Sequence, residues 1–321
     1  MTRAAYALPP IHEHVPLREK TWFRVGGPAR WYCEPQNNAE FAGAAAWAQE
    51  QGVPIFVLGN GANLLVSDAG FAGLVIAPKN RTLEIRAGDD GEHASVTAGA
   101  GVTIDDLISY CLNNNLLGLE EFSGIPGTVG GSVFINLHYF SFRLSQFLVS
   151  GRVIDVKSGE IMPVENSWFN FGYDYSTLHE QKHLLLDATF RVKRATDLET
   201  AFARGRQTEI IRHRRQRYPY QNTCGSFFRN FHEDEVTIVS NGKKMIFIAY
   251  YLDKLGIKGV LAVGDALVSH QHANMIVNRG NATAQDIVEL ARKMQELVRD
   301  NFGIVPQAEC QFVGFEKHPL L

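Results

Sequence analysis

One stretch decides the fold of this chain: Ser123-Gly124-Ile125-Pro126-Gly127-Thr128-Val129-Gly130-Gly131, with four glycines and two hydroxylated residues in nine positions. Glycine lacks a Cβ, so backbone N–H groups in such a stretch can approach a ligand closely. Successive N–H groups that curl together form a concave nest for an anion such as a pyrophosphate. By itself the stretch is just as typical of a plain turn between Phe122 and the apolar run at 133–135, which we interpret as a strand.

A second glycine loop, GNGANLLVSD at residues 59–68, follows the apolar run at 55–58, which is typical of a strand. It lacks the pattern G-x-G-x-x-G that opens a helix in dinucleotide-binding folds, and it leads into another apolar run at 74–76. Two phosphate-type loops without a dinucleotide helix indicate a different way of holding a long cofactor.

Motifs elsewhere in the chain extend the pattern. The segments TWFRVGGPA (21–29), LGNGANLLVSD (58–68) and SGIPGTVGG (123–131) resemble, in this order, the flavin-binding half of the UDP-N-acetylenolpyruvoylglucosamine reductase family. The resemblance continues through CGSFFRN (224–230), VSHQHANMIVN (268–278) and the end of the chain, and so covers residues 20–314. Ordered matching of several motifs is far more specific than any single glycine motif.

This resemblance implies an α+β fold with two functional parts. A two-part FAD-binding domain of the vanillyl-alcohol oxidase / p-cresol methylhydroxylase type precedes a C-terminal α+β substrate-binding domain. We place the first FAD-binding subdomain at 1–78, the second at 79–195 and the substrate-binding domain at 196–321. The compact span between residues 140 and 200 is typical of the shorter subtype, which lacks an extra tyrosine-bearing loop.

Local patterns predict the main elements. Capping residues and apolar stripes predict helices at 37–52, from Thr103 to about residue 112, at 198–217 and from Thr283 to Gly303. Alternating or short apolar runs predict strands at 55–58, 95–98, 133–135, 151–156, 184–192 and 309–313. The helix at 198–217 carries six arginines, and we leave open whether it is a solvated face or faces the substrate's diphosphate.

Composition limits the classes of function. A net charge of −3 over 321 residues argues against a general nucleic-acid binder. The four cysteines form no C-x-x-C pair, which favours reduced thiols over a zinc or redox motif. We see no signal peptide and no apolar run near the roughly 20 residues that span a bilayer. We therefore expect a cytoplasmic monomer without nucleic-acid or membrane partners.

The resemblance also implies the cofactors and the reaction. NADPH reduces non-covalently bound FAD, which then passes a hydride to the enolpyruvyl group of a UDP-sugar substrate. The residues expected to hold FAD lie in the two glycine loops: Gly59, Asn60, Gly61, Ala62, Asn63, Leu64, Ser123, Gly124, Pro126, Gly127, Thr128, Gly130 and Gly131.

The expected catalytic residues are carried over from the family's motifs. Ser226, in Gly225-Ser226-Phe227, matches the family's proton donor, and Glu309 matches a glutamate that bonds the substrate carboxylate as charge develops. We expect Tyr173, Arg229, Asn230, His272 and Asn274 to bind substrate. His270 and His272 could meet on one strand face, but no third ligand is visible, so we expect no metal.

Two departures from the family pattern stand out. The usual N-A-G-A-Y-G stretch is Asn-Leu-His-Tyr-Phe-Ser at 136–141, and Asp174 stands where the family's catalytic arginine follows Tyr173. An aspartate adds a third acidic group to the site, so its own role there is doubtful. We expect Asp174 to point away and an arginine from elsewhere, among Arg143, Arg152 and Arg229, to supply the missing charge.

Two other interpretations stay open at this stage. The chain could be a flavin oxidoreductase of the same fold with another substrate, or a homologue that binds FAD or a UDP-sugar without catalysis. NADPH oxidation measured with and without the enolpyruvyl substrate separates all three.

Overall fold

The computed structural model describes residues 7–320, which form six α-helices and nineteen strands together with short 3-10 turns. The helices are α1 (Asn38–Glu50), α2 (Ile104–Asn113), α3 (Val129–Phe134), α4 (Asp197–Arg217), α5 (Ile248–Lys254) and α6 (Ala284–Phe302). The strands are β1 (His12–Pro16), β2 (Pro28–Cys33), β3 (Ile55–Val57), β4 (Leu64–Val66), β5 (Phe71–Ile76), β6 (Leu83–Ala87), β7 (His93–Gly99), β8 (Leu116–Leu117), β9 (His138–Tyr139), β10 (Phe142–Arg143), β11 (Leu148–Asp155), β12 (Ile161–Glu165), β13 (His183–Arg194), β14 (Val239–Ser240), β15 (Lys243–Lys244), β16 (Ala262–Val263), β17 (Ala266–Val268), β18 (Ile276–Asn278) and β19 (Gln311–Val313).

The described residues divide into two compact units. Unit 1 contains residues 7–14, 30–60 and 72–214, and unit 2 contains residues 15–29, 61–71 and 215–320. The segments 15–29 and 61–71 thus belong with the C-terminal part of the chain. The domain borders predicted at 78 and 195 divide the chain linearly and do not assign these two early segments to unit 2. The division into three parts stays a proposal.

Unit 1 contains two sheets, each with its own hydrophobic core. The order β1-β2-β5-β3 forms a four-stranded sheet, in which β3 and β5 run parallel and α1 contributes Phe41 to the core beside Leu74. The second sheet has the order β12-β11-β13-β7-β6, with β8 also paired to β13. Its core includes Phe122, Val129 and Phe190, so the stretch at 123–131 is anchored against this sheet.

Unit 2 is built around the three-stranded antiparallel sheet β16-β17-β18 and the parallel pair β19-β4. Its core combines Phe227, Tyr251 and Leu290 with Phe23 and Leu65 from the two early segments. The carboxylate of Asp68 accepts hydrogen bonds from the N–H groups of Ala284 (2.9 Å) and Gln285 (3.1 Å) and so caps α6. These contacts explain why segment 61–71 belongs to unit 2.

The helix caps confirm most of the helix predictions. The side chains of Asn37, Thr103 and Thr283 accept hydrogen bonds from the third N–H of α1, α2 and α6. The strand predicted at 133–135 is wrong, because Val133 and Phe134 end helix α3. Thr128 caps this helix by accepting from Gly131 N at 3.3 Å, and Val129 and Val133 are buried at helical spacing.

Candidate active site

The two predicted catalytic residues of unit 2 lie on neighbouring backbone segments. Glu309 N donates to Phe227 O at 2.9 Å, Arg229 N donates to Gln307 O at 2.9 Å, and Phe228 forms an antiparallel bridge with Ala308. Ser226 and Glu309 therefore flank one short ladder, and both residues are half-buried. The structure brings these two motifs together although 82 residues separate them in sequence.

Asn274 holds the serine-bearing segment of this ladder. Its side-chain oxygen accepts from Phe228 N at 3.0 Å, its Nδ2 donates to Phe228 O at 2.7 Å, and its own carbonyl accepts from Phe227 N. The side chain is buried, and both its oxygen and its nitrogen bond backbone groups of Phe228. In this structure Asn274 is a positioning residue for the segment, and its predicted contact with substrate stays a prediction.

His272 lies next to this support. Burial is the main cause that lowers its pKa from 6.5 to about 4, and the nearby Arg217 cation acts in the same direction. Its Nδ1 lies 3.3 Å from Asn274 N, and its ring lies 5.3 Å from that of Tyr218. A neutral imidazole is therefore part of the frame around Ser226 near pH 7.

Arg229 and Asn230, predicted to bind substrate, are both engaged in unit 2. Arg229 donates to both carboxylate oxygens of Glu235 at 2.7 Å, and this pairing lowers the pKa of Glu235 to about 2. Asn230 Oδ1 accepts from Ile248 N at 3.3 Å. The bidentate ion pair fixes the guanidinium group of Arg229 in one orientation.

Four free, buried cysteines are present, and two of them flank the ladder. Cys310 follows Glu309 and contacts Cys224, and burial raises the pKa of the Cys310 thiol well above its usual value. A neutral thiol is a poor nucleophile. This pair therefore belongs to the packing of the site.

In unit 1, the predicted FAD loops meet at Gly59 and Thr128. A Cβ on Gly59 would stand 2.7 Å from Thr128 Oγ1, so only glycine allows this approach. The remaining residues of that loop, Gly61, Ala62, Asn63 and Leu64, are counted in unit 2, where Trp22 N donates to Gly61 O and Asn63 Nδ2 donates to Glu309 O.

Fewer N–H groups at 123–131 are left to bind an anion than the sequence implies. The N–H groups of Gly124, Val129 and Gly130 already donate to Asp105, Val102 O and Ala100 O. Ser123 Oγ donates to Glu120 O, and Pro126 has no N–H group. Within the part of the chain that the structure describes, the N–H groups of Gly127 and Thr128 have no protein acceptor and are the ones left for a ligand.

Gly130 and Gly131 are glycines for different reasons. A Cβ on Gly130 would lie 3.2 Å from both Ala100 Cβ and Ala100 O, whereas a Cβ on Gly131 would meet only Thr128 Oγ1 at 3.6 Å. Gly131 is exposed and its φ angle is not positive. The packing of unit 1 does not require glycine at 131. A ligand that approaches the backbone closely at this position would require it. The residues present in unit 1 thus fit a bound flavin nucleotide.

Arg214 supports this stretch from α4. Its Nε donates to Gly124 O at 3.1 Å, and its guanidinium carbon lies 5.3 Å from the ring centre of Tyr139. Two further arginines of α4 pair with carboxylates, Arg206 with Glu121 and Arg212 with Glu209. Much of the basic face in unit 1 is therefore a set of surface ion pairs.

Asp174, at the position of the expected arginine, lies in a tight turn of unit 1 with a φ angle of +50°. Its Oδ1 is 3.3 Å from His138 Nδ1, and its Oδ2 is buried without a hydrogen-bond partner among residues 7–320. Tyr173 is half-exposed beside it, and its ring lies 4.9 Å from that of His138. The sequence analysis did not select His138, although the departure at 136–141 marks its position.

Two of the three arginines expected to replace the missing charge pair with other carboxylates. Arg152 donates to Asp187 through Nε at 2.9 Å, and Arg229 is held by Glu235. Arg143 is exposed in β10, opposite His138 in β9. The idea that an arginine fills the gap stays a prediction, and within residues 7–320 the side chain in contact with Asp174 is the imidazole of His138.

The described part of the chain contains neither a metal-binding cluster nor a membrane-spanning helix. No group of three or more histidine, cysteine, aspartate or glutamate side chains there is arranged to hold a metal ion. No helix among residues 7–320 is long and apolar enough to cross a membrane.

Comparison with known proteins identifies the fold and the family of this chain. The sequence model of the FAD binding domain matches residues 29–165, and the model described as "UDP-N-acetylenolpyruvoylglucosamine reductase, C-terminal domain" matches residues 216–313. The first match confirms the flavin-binding half and defines the class of protein: an FAD-dependent oxidoreductase.

Individual relatives extend the match over nearly the whole chain. UDP-N-acetylenolpyruvoylglucosamine reductase of Synechococcus sp. (strain JA-3-3Ab) is 35% identical over 97% of this chain and 94% of that protein. The enzyme of the same name from Solibacter usitatus (strain Ellin6076) is 33% identical over 95% and 97%. The crystal structure of UDP-N-acetylenolpyruvylglucosamine reductase from Thermus caldophilus has a TM-score of 0.75 at 28% identity and covers 95% of this chain and 100% of that one. The chain belongs to the UDP-N-acetylenolpyruvoylglucosamine reductase family.

Proposed function

We propose that this protein reduces UDP-N-acetylglucosamine enolpyruvate to UDP-N-acetylmuramate, with FAD as cofactor and NADPH as hydride donor. The observation that carries the proposal is the ladder of unit 2, in which the Ser226 and Glu309 motifs stand on adjacent segments. Relatives that bear the reductase name match this chain over both units.

The residues of unit 2 have distinct roles in this proposal. Bound FAD supplies the hydride for the β-carbon of the enolpyruvyl group. Ser226 donates a proton to the α-carbon, so that hydride and proton together saturate the double bond. Glu309 hydrogen-bonds the substrate carboxylate, on which negative charge develops before the proton arrives, and this role requires Glu309 to be protonated or bridged by a cation. Asn274 and the ladder fix the Ser226 segment. Arg229 and Asn230 line the part of the site where the substrate binds.

The residues of the two glycine loops hold the cofactor. Gly127 and Thr128 present N–H groups to the pyrophosphate, and Gly131 leaves room for a close approach. Gly59 and Asn60 close the cradle against Thr128. Gly61, Ala62, Asn63 and Leu64 continue the same loop. FAD binds non-covalently, and no covalent attachment is part of the proposal.

The cellular setting follows from the proposed product. UDP-N-acetylmuramate is a precursor of peptidoglycan, so the protein acts in cell-wall synthesis and thereby in cell shape and division. We place it in the cytoplasm, and the four free, buried thiols support this location. We expect it to be a monomer without nucleic-acid partners. Gel filtration with light scattering tests the monomer.

One assay tests the proposed function. The purified protein is yellow, and NADPH oxidation under anaerobic conditions depends on the enolpyruvyl UDP-sugar, with a product two hydrogen atoms heavier than the substrate. A yellow protein that oxidises NADPH only with other acceptors would instead be a flavin oxidoreductase with another substrate. A protein that binds FAD or the UDP-sugar without turnover would be the degenerate homologue.

A further inference from the structure

Arginine and tyrosine side chains lie close together on the segment 215–220 of unit 2, which contains the last residues of α4. The guanidinium carbon of Arg215 lies 5.8 Å from the ring centre of Tyr220, and that of Arg217 lies 5.6 Å from the ring centre of Tyr218. Tyr220 is 58% exposed, and both arginines are exposed as well. The segment therefore presents cations and aromatic rings together to the solvent.

A tryptophan from an early segment of unit 2 lies beside Tyr220. The ring centres of Trp22 and Tyr220 are 6.5 Å apart, and the two ring planes meet at 81°. Trp22 is half-buried, and of the chain's four tryptophans it alone belongs to unit 2. Two rings at nearly a right angle form a notch with an apolar wall on each side. We call Trp22, Tyr220 and Arg215 the aromatic corner.

Asn278 fixes the two sides of the aromatic corner to each other. Its backbone N–H donates to Asn222 O at 2.8 Å, two residues after Tyr220. Its Nδ2 donates to Phe23 O at 3.0 Å, next to Trp22. Asn278 is buried in β18, so both bonds are shielded from water. The position of Trp22 relative to Tyr220 is therefore set by the fold of unit 2.

The two arginines of this segment differ from those earlier in α4. Arg206 pairs with the carboxylate of Glu121 at 2.9 Å. Among residues 7–320, by contrast, no carboxylate lies within salt-bridge distance of Arg215 or Arg217. A guanidinium group bonds phosphate oxygens well, because its planar fork donates two parallel hydrogen bonds. Arg215 and Arg217 thus supply positive charge that no neighbouring carboxylate neutralises.

Tyr218 connects the aromatic corner with the frame around Ser226. Its ring lies 5.3 Å from that of His272, whose Nδ1 lies 3.3 Å from Asn274 N. Asn274 in turn holds the segment that carries Ser226. Tyr220 and Ser226 are six positions apart in sequence, so the chain keeps them within about 20 Å of each other. The aromatic corner and the expected proton donor are therefore neighbouring parts of unit 2.

We propose that the aromatic corner binds the base of a nucleoside diphosphate, namely the UDP portion of the substrate. This inference rests on the proposed function and names the part of unit 2 that holds the nucleotide. The uracil stacks on the exposed ring of Tyr220 and contacts Trp22, since every base has a π-face that an aromatic side chain can bind. Arg215 and Arg217 bond the diphosphate.

The combination of rings and cations is what favours a nucleotide. An apolar partner would gain nothing from two exposed arginines, and a simple phosphate would gain nothing from the two rings. A base joined to a diphosphate uses both features at once. The ADP portions of FAD and NADPH share this chemistry with UDP, so the experiments compare all three ligands.

Calorimetry on the holoenzyme, with UDP as the probe, tests the corner with three variants. Tyr220→Ala weakens UDP binding roughly 5- to 150-fold, as expected when the aromatic platform under a base is removed. Tyr220→Phe keeps the ring and therefore keeps the affinity within roughly threefold of the wild type. Arg215→Gln weakens the binding of both UDP and inorganic pyrophosphate, whereas Tyr220→Ala weakens the binding of UDP alone.

Trp22 provides an optical signal for the same event. UDP changes the tryptophan fluorescence of the wild-type holoenzyme, because the base contacts the Trp22 ring. Trp22→Phe abolishes this change but still binds UDP, since a ring remains at that position. The other three tryptophans lie in unit 1 and serve as the constant background.

Phe202→Ala is the matched control, because Phe202 is an aromatic residue of unit 1 that is 72% exposed. It leaves the affinity for UDP unchanged. Thermal unfolding and flavin content show whether each variant is folded and loaded. A folded Tyr220→Ala variant with the wild-type affinity for UDP overturns the inference. If that variant instead loses FAD, or raises only the KM for NADPH, the corner holds an ADP portion and the inference is equally wrong.

Binding and turnover separate this inference from the proposed function. A protein that binds UDP through Tyr220 but does not reduce the enolpyruvyl UDP-sugar contradicts the proposed function and supports the inference. A protein that performs the reduction with the same KM for the UDP-sugar in Tyr220→Ala as in the wild type supports the function and refutes the inference. A wild-type protein without measurable affinity for UDP also refutes it.

Discussion

Asn274 shows how one buried side chain sets the position of a reactive group it does not touch. Its amide donates to Phe228 O and accepts from Phe228 N, two residues after Ser226. The sequence motif selected Asn274, but a motif does not reveal which backbone groups an amide bonds, and the predicted contact of Asn274 with substrate stays a prediction. Ser226 and Glu309 were selected by their motifs and their roles stay predictions, whereas His138, in contact with Asp174, lies in the segment at 136–141 that departs from the family pattern.

Replacement of Asn274 by alanine leaves two buried backbone groups of Phe228 without partners. An unsatisfied buried group costs about 1–3 kcal/mol, so we expect Asn274→Ala to lower the free energy of unfolding by about 2–4 kcal/mol. Denaturant titration measures this loss. Asn281→Ala, at an exposed position whose φ angle is not positive, is the control and should change stability little.

Ser226→Ala tests the proton donor. Loss of a general acid costs about 10²–10⁴-fold in rate, so the reoxidation of reduced flavin by substrate slows by that factor. Flavin reduction by NADPH stays near the wild-type rate. Stopped-flow absorbance follows both half-reactions, and Ser240→Ala in the β14-β15 hairpin is the control. Equal slowing of both half-reactions would assign Ser226 to cofactor geometry instead.

At the scale of elements, α3 is where sequence patterns and structure differ most. The apolar run at 133–135 resembles a strand by composition, but the Thr128 cap and the burial of Val129 and Val133 on one face make the region a helix. Most other elements were predictable because they carry a cap or a clear apolar period. Short segments such as 133–135 are ambiguous by pattern alone, since only the capping threonine upstream distinguishes the two outcomes.

The two glycines of α3 provide a matched pair of variants. Gly131→Ala meets no close protein atom, so it keeps or slightly raises the stability of the apoprotein but lowers FAD occupancy, because the new methyl group fills the cradle. Gly130→Ala presses against Ala100 and lowers stability as well. Thermal unfolding of apoprotein and flavin absorbance of holoprotein measure the two effects. Full FAD occupancy in Gly131→Ala at low protein concentration would contradict the cradle assignment.

At the scale of the whole molecule, acid stability depends on His272. Burial lowers the pKa of His272 in the folded state to about 4, below its ordinary value of 6.5. Between these two values the unfolded chain takes up a proton that the folded chain does not, so stability falls as pH falls from about 6.5 to about 4.

We expect this histidine alone to remove on the order of 3 kcal/mol across that window. Urea titrations at a series of pH values measure the slope. His272→Gln reduces the slope, whereas His213→Gln, on the exposed face of α4, leaves it unchanged. An unaltered slope in His272→Gln would show that other groups cause the acid sensitivity.

The division into two units was the feature least accessible to sequence reasoning. Composition and motif order divide a chain linearly, and nothing in segments 15–29 and 61–71 announces that Phe23 and Leu65 share a core with residues more than 150 positions away. From the sequence alone, Asp68 belongs to the glycine loop at 59–68. Only the structure shows that its carboxylate caps α6 by accepting from Ala284 N. Long-range contacts of this kind leave no local pattern.

The placement of segments 15–29 and 61–71 in unit 2 also affects how the protein folds during translation. As the chain leaves the ribosome, segments 15–29 and 61–71 emerge early, but their companions from residue 215 onward are translated much later. At about 5–20 residues per second, Phe23 waits roughly 10–40 s before the first of those companions exists. The interval is longer still for strand β4, because its parallel neighbour β19 begins only at Gln311. During that interval two apolar stretches stay uncovered, so the nascent polypeptide should be a client of ribosome-associated chaperones until these residues have been made.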